Sequence, residues 1–407
     1  MEPGKGIASL LEGLWGELGA ELEQRASAGL TRRRRLLQSA QSAHVRVDSR
    51  DVLSFCSNDY LGLANHPALI TAMQAGAAQA GVGSGASHLI TGHHQYHEDA
   101  EQALADFVGL PAALLYSTGY MANMGVVTAL MGRDDAIFAD KLNHASLNDA
   151  AVLSRAVLHR YAHNDLAALE KLLQKSDAKR KLVVVDAVFS MDGDLAPVPE
   201  LLALCQQYDA YLLLDDAHGF GVLGAHGQGI LNHFSAKIAA LATSQPRIIY
   251  MATLGKAAGV SGAFVAGEPV LIDYLMQNSR TYIYTTATPP AISAALIESV
   301  KLIKQDDFRR THLQHLITLL KTKLHLQRWH LQDSSTAIQP LIVGANEEVL
   351  ALSEHLLTLG ILVPAIRPPT VPKGSARLRI TLSAAHSEQD VMRLIDALHA
   401  AEKDMTA

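Results

Sequence analysis

The residues able to do chemistry gather around one lysine. The stretch Thr253-Leu254-Gly255-Lys256-Ala257-Ala258-Gly259-Val260-Ser261-Gly262 follows an apolar β-type run, Arg247 to Ala252, and leads into a second, Gly262 to Gly267. A lysine so placed is either a solvated loop residue or a desolvated amine. Desolvation disfavours the ammonium form, pulls the pKa below its usual value of about 10.4, and leaves a nucleophile that can condense with an aldehyde. Four other polar groups stand just past apolar runs. They are Ser117–Tyr120, Asp140–Ser146 (with Asn143-His144), Ser190–Asp194 and Asp215-Asp216-Ala217-His218.

Those positions need elements to hold them. The spacing predicts a helix from Tyr96 to Val108, a strand over 112–116 and a helix from Gly119 to Met131. Strands follow over 136–139, 156–161, 182–189, 211–215, 247–252 and 263–266, most of them separated by helices such as Asp165–Gln174 and Pro199–Tyr208. Leu182-Val183-Val184-Val185 and Leu212-Leu213-Leu214 are apolar on both faces, the mark of central strands in a parallel sheet covered by helices. The fold class is α/β, and ligands of such sheets bind beyond the carboxyl ends of the strands. The polar groups above occupy those ends.

Three further segments complete the plan. Residues 7–38 have helical periodicity through Leu10, Leu11, Leu14, Leu18, Leu22 and Leu30, a leading arm that carries the basic run Arg32–Arg35 on a solvated face. Val45 to Phe55 alternates like a ribbon. After Pro289-Pro290 the pattern becomes helix 291–304, helix 306–326, strand 337–343, helix 347–359, strands 361–366 and 376–382 and helix 387–402, a smaller α+β region. The expected organisation is an arm over 1–55, a large domain over 56–288 and a small domain over 289–407.

Composition narrows the function. At 407 residues, with a net charge of −6 and no long basic tract, the chain has no electrostatic footprint for nucleic acid. Two cysteines, Cys56 and Cys205, without a CxxC motif fit a reducing compartment. No apolar run reaches bilayer length and no signal pattern opens the chain, so a cytoplasmic protein without a membrane partner is expected. The 19 histidines lack an HExxH arrangement, and no metal site is read from them. Gly81-Val82-Gly83-Ser84-Gly85 follows no strand and misses the GxGxxG spacing.

A strand-end lysine, an aspartate three residues before a histidine, and a helix start behind Ser-Thr-Gly together suit pyridoxal phosphate. The helix at Gly119 would offer N–H groups to its phosphate. An acid at a strand end would keep its pyridine nitrogen protonated. Strand alternation favours Asp215 over Asp216 for that task.

At these residues the chain resembles the α-oxoamine synthase family of fold-type-I pyridoxal phosphate enzymes. The matching segments are Ser57-Asn58-Asp59-Tyr60-Leu61-Gly62, Asn143-His144-Ala145-Ser146, Val188-Phe189-Ser190-Met191-Asp192-Gly193-Asp194, Asp215-Asp216-Ala217-His218-Gly219 and Thr253-Leu254-Gly255-Lys256, in the family's order. The resemblance implies that Lys256 holds the cofactor covalently and Asp215 pairs with its ring nitrogen. It puts His144 on the ring face and Ser190 and His218 near the ring hydroxyl. Gly119, Tyr120 and Thr253 take the phosphate, with Thr285 and Thr286 reaching the phosphate of a neighbouring subunit in a homodimer. Arg379, with Asn58 nearby, is implied to bind the amino acid carboxylate, Arg32 to lie at the acyl substrate and Thr370 to be a further substrate contact. Ala337–Gly344 and Ile366–Pro372 resemble the branch that joins L-alanine to a pimeloyl thioester on coenzyme A or a carrier protein; glycine C-acetyltransferase and 5-aminolevulinate synthase are sibling alternatives. The family often has arginine where this chain has His88, so the role of the 81–88 loop stays open.

Overall fold

The computed structural model describes residues 13–27, 30–241 and 247–405. The chain forms two compact units, one of residues 1–39 and 46–51, the other of 40–45 and 52–407. In the smaller unit the leading helix is shorter than its periodicity promised. Helix α1 spans Leu14–Ser27 and buries none of its residues. Leu14, Leu18 and Leu22 of its leucine stripe are exposed. Arg32–Arg35 lie on non-helical backbone rather than on a helix face, and Leu10 and Leu11 fall outside the described residues. The predicted ribbon is present as β1 (His44–Val47) and β2 (Arg50–Ser54), with Asp48 and Ser49 at positive φ in the turn between them.

The larger unit continues with α2 (Pro67–Ala80), a π turn at His88–Gly92, α3 (Gln95–Val108), β3 (Ala112–Tyr116) and α4 (Gly119–Leu130). Next come β4 (Ala136–Asp140), α5 (Ala145–Ser154), β5 (Val157–Tyr161), α6 (Leu166–Gln174), β6 (Lys181–Asp186), α7 (Val198–Gln207) and β7 (Tyr211–Asp215). Short helices α8 (Ile230–His233) and α9 (Ser235–Ala239) precede β8 (Ile248–Thr253) and β9 (Ala263–Gly267). These strands make a seven-stranded sheet in the order β3-β9-β8-β7-β6-β4-β5. Strands β8, β7, β6, β4 and β5 pair in parallel, and β9 alone runs against its neighbours β8 and β3.

Alternation sorts the sheet's side chains into two cores. Val183, Val185, Leu212 and Leu214 belong to one, and Leu182, Val184 and Leu213 to the other. Both faces are therefore dry, as the unbroken apolar runs require. The strand expected over 182–189 stops at Asp186. Beyond it the chain folds back on itself, with Val188 bridged to Leu195.

The rest of the unit holds α10 (Pro269–Asn278), α11 (Arg280–Ile283), α12 (Pro290–Gln305), α13 (Asp307–Lys323), β10 (His330–Leu331), β11 (Ile338–Gly344) and α14 (Asn346–Thr358). It ends with β12 (Ile361–Leu362), β13 (Ala365–Ile366), β14 (Ala376–Thr381) and α15 (Glu388–Asp404). Strands β10, β11, β14 and β13 form a second, antiparallel sheet. The single strand expected over 361–366 is two strands on two sheets. Ile361 and Leu362 pair in parallel with Leu53 and Ser54, whereas Ala365 and Ile366 pair with β14. Pro364 separates them, and its carbonyl accepts the Arg379 amide. No helix among the described residues is long and apolar enough to cross a membrane.

Candidate active site

Because β3, β4, β6, β7 and β8 point the same way, their carboxyl ends meet at one edge. A cavity of about 190 Å³ opens there. Gly119, Tyr120, His144, Ser190, Asp215, His218, Thr253 and Lys256, all named from the sequence, line it.

Lys256 sits in the hairpin joining β8 to β9. Leu254 donates its amide to the Gly262 carbonyl, and Gly259 donates to the Lys256 carbonyl. Gly259 has φ of +68°, and a Cβ there would lie 2.6 Å from the Ala64 nitrogen, so only glycine closes this turn. Burial pulls the Lys256 amine down to about 8, against the upward pull of Asp215 and Asp186. Its Nζ lies 2.9 Å from His218 Nε2. Desolvation and the neighbouring Lys256 and Arg379 charges hold His218 well below its ordinary pKa, so the ring is neutral. The ammonium donates to Nε2, which leaves the His218 proton on Nδ1, 2.5 Å from the Tyr60 hydroxyl. Tyr60 donates in turn to Asn58 Oδ1 at 3.3 Å. Arg379 donates to the same oxygen at 3.2 Å, to Thr381 Oγ1 at 3.0 Å and to the Ser190 carbonyl at 2.6 Å. A continuous hydrogen-bonded chain thus runs from the amine to the guanidinium.

The low lysine pKa has a measurable consequence. Only the neutral amine condenses with an aldehyde. The rate at which cofactor-free protein captures pyridoxal phosphate should rise with pH and level off near 8. A rate still rising toward the ordinary lysine value of about 10.4 would mean that Lys256 is not the acceptor or is not desolvated.

Asp215 and Asp216 separate cleanly. Asp215 accepts Asn123 Nδ2 at 2.8 Å and the Ala217 amide at 3.1 Å, on the cavity side. Asp216 accepts the Ile230 amide and the Tyr250 hydroxyl, each at 2.8 Å, and burial raises it to about 7. It is a structural acid that ties α8 to β8.

Two cavity residues were missed from the sequence. Asp186 is register partner to Asp215 and lines the same cavity. Burial first, and then the Asp215 charge, raises it well above the usual carboxyl range. Its Oδ2 takes the His144 amide at 3.0 Å, while its buried Oδ1 has no partner. The overlong strand reading hid it inside an apolar run; a strand ending at Asp186 would have revealed it. Asn123 on α4 bridges Asp215 and Ser146 Oγ, and helical periodicity gives no sign of that.

Around the rim, the α4 N-terminus is capped by Thr118, whose Oγ1 accepts the Met121 amide. A Cβ on Gly119 would stand 2.4 Å from Thr253 Cγ2, so glycine keeps this corner open beside the first helical N–H groups. His144 caps α5, with Nδ1 2.8 Å from Ser146 Oγ. The remaining sequence candidates lie elsewhere. Thr285, Thr286 and Thr370 do not line the cavity, and Thr286 and Thr370 are exposed. Arg32 is exposed on the smaller unit. His97 is a capping residue: Nδ1 accepts the His94 amide and Nε2 donates to the Thr288 carbonyl. Cys205 is buried and its thiol is pushed up to about 12.

The chain belongs to the aminotransferase class I and II family, whose profile matches residues 50–398. Within it, the similar relatives carry the name 8-amino-7-oxononanoate synthase. That of Methylobacillus flagellatus is 62% identical over 386 residues, covering 95% of this chain and 96% of that one. That of Nitrosomonas eutropha is 61% identical, covering 94% and 98%. Among solved structures, a serine palmitoyltransferase from S. paucimobilis with bound PLP and myriocin superposes with a TM-score of 0.88 at 27% identity, over 97% of this chain and 99% of that one. The 8-amino-7-oxononanoate synthase of Francisella tularensis superposes with a TM-score of 0.72 at 30% identity, over 87% and 98%.

Proposed function

We propose that this site binds pyridoxal phosphate and joins L-alanine to a pimeloyl thioester with loss of carbon dioxide, giving 8-amino-7-oxononanoate. The observation that carries the reading is the hydrogen-bonded chain from Lys256 to Arg379, which links a base to a carboxylate binder. The names of the relatives support this product, and the resemblance of Ala337–Gly344 and Ile366–Pro372 supports the two substrates and a role in biotin synthesis.

The residues present fit the cofactor. The open corner at Gly119 and Thr253, beside the α4 N-terminus, suits a phosphate. Asp215 suits a ring nitrogen, and the partnerless Oδ1 of Asp186 marks a polar floor. Bound there, the cofactor supplies an electron sink for negative charge at the alanine Cα. Lys256 would hold the cofactor by its aldehyde carbon, and its amine, once free, would take the alanine Cα proton. His218 and Tyr60 keep that amine aimed. Arg379 grips the alanine carboxylate, its own position fixed by Ser190, Asn58 and Thr381. The Cα then bonds to the thioester carbonyl carbon, the C–S bond breaks and the thiol departs. The former alanine carboxylate leaves as carbon dioxide, and a proton returns to Cα. The same reading makes the protein a cytoplasmic homodimer, with Thr285 and Thr286 serving the partner's site. Arg32 and Thr370 keep their acyl-side assignments by resemblance.

The test is a competition of donors. With alanine, kcat/KM for pimeloyl-CoA or a pimeloyl carrier protein should exceed that for acetyl-CoA or succinyl-CoA with glycine by at least about tenfold, the discrimination that a few methylenes allow. A better rate with either short donor would move the protein to a sibling activity.

A further inference from the structure

Away from the catalytic cavity, a second cavity of about 380 Å³ lies beside the start of α3 and β3. His88, His93, Glu98 and Glu101 are among the residues lining it, and it shares none with the first. We propose that His93, Glu98 and Glu101 form a zinc site, with His88 orienting His93 from behind.

The ligand atoms of His93, Glu98 and Glu101 all lie within 4.8 Å of one another. His93 Nε2 is already 3.1 Å from Glu98 Oε2. Zinc bonds of about 2.0–2.2 Å set tetrahedral ligand atoms roughly 3.4 Å apart. Glu98, whose side chain is 69% exposed, has room to adjust to that spacing. Glu98 and Glu101 stand three residues apart on α3, so their side chains share one face of the helix. Glu101 Oε1 is anchored by the Leu115 amide at 2.7 Å, which fixes that carboxylate against β3. One imidazole and two carboxylates suit zinc, and the cavity leaves room for water at the open position.

His97 also points into this cluster, but both its ring nitrogens are committed to the helix cap and to Thr288, so it is not a ligand. His88 has a different part. Its Nδ1 is 2.9 Å from His93 Nδ1, and its ring stacks on Tyr282 with centroids 4.7 Å apart. Without metal, His93 gives its Nε2 proton to Glu98 and accepts at Nδ1 from His88. With zinc on Nε2, His93 carries its one proton on Nδ1 and donates it to His88 Nδ1, while the proton displaced from His93 Nε2 passes through water to His88 Nε2, so both rings stay neutral; this is the second-sphere support usual for a ligating imidazole. The ion would fasten the first turn of α3 to the segment before it and, through Glu101, to β3.

The experiment uses full-length, cofactor-loaded protein freed of metal by chelator, titrated with zinc chloride by calorimetry and with cobalt(II) for its visible spectrum. Wild type should take one zinc per chain, with a raised thermal midpoint. Glu98→Gln, an exposed change that leaves folding intact, and His93→Gln should each weaken binding by at least about tenfold, and His88→Gln by roughly ten- to a hundredfold. His226→Gln, at the exposed His226–Asp307 pair, should bind as wild type does. No stoichiometric uptake, or uptake unchanged in both Glu98→Gln and His93→Gln, overturns the site.

Discussion

Lys256→Ala is expected to lower turnover by at least about four orders of magnitude, the upper end for loss of a positioned acid–base group, since a nucleophile disappears with it. The fold should survive. The lysine side chain packs into a cavity and makes one side-chain hydrogen bond, to His218, and the hairpin is closed by backbone bonds that alanine keeps. Two measurements separate chemistry from folding. Circular dichroism should be unchanged. Borohydride reduction followed by peptide mapping should label the peptide containing residue 256 in wild type and leave it unlabelled in the variant. Label found on another lysine in wild type would remove Lys256 from the centre of the mechanism.

The second large effect is a crossed pair at neighbouring acids. Asp215→Asn should cut the exchange of the alanine Cα hydrogen in deuterated water by roughly a hundred- to a thousandfold, as loss of one preorganised electrostatic partner does. Stability should also fall, by about 1–3 kcal/mol, because Asn123 donates to Oδ2 and Ala217 to Oδ1, and the amide keeps only one of the two oxygens. Asp216→Asn should leave exchange close to wild type. Ile230 and Tyr250 both donate to Oδ2, an oxygen that the amide can keep, so its fold should hold as well. If exchange collapses in Asp216→Asn and persists in Asp215→Asn, the two roles have been assigned the wrong way round.

The sheet and most of the cavity were legible because they rest on local signals. Apolar runs such as Leu182–Val185 can only be doubly covered strands, and whatever polar residue follows them must sit at an edge. That logic found Lys256, Asp215, His144 and Ser190. It failed at Asp186, where Ala187-Val188-Phe189 continues the apolar run after the strand has ended. Hydrophobicity there serves the folded-back segment rather than the sheet. The α1 region failed for a related reason: periodicity describes a face, but a helix also needs something to pack against. The network through Tyr60 and Asn58 joins residues separated by 158 and 321 positions from His218 and Arg379, and no local pattern encodes such pairings. Likewise, His93 showed no metal motif, because Glu98 and Glu101 come within reach of it only once α3 has formed.

Strand β9 is the one strand of the seven-stranded sheet that runs against its neighbours, and this has a bearing on how the protein acquires activity. A lysine at the head of a crossover helix could be re-aimed by shifting that helix. Here the turn carrying it is stitched at both ends to adjacent strands, so the side chain's reach is decided when β9 slots between β8 and β3. Competence is thereby inherited from correct assembly of the sheet, and a nascent chain with that slot unfilled has no reactive amine to offer.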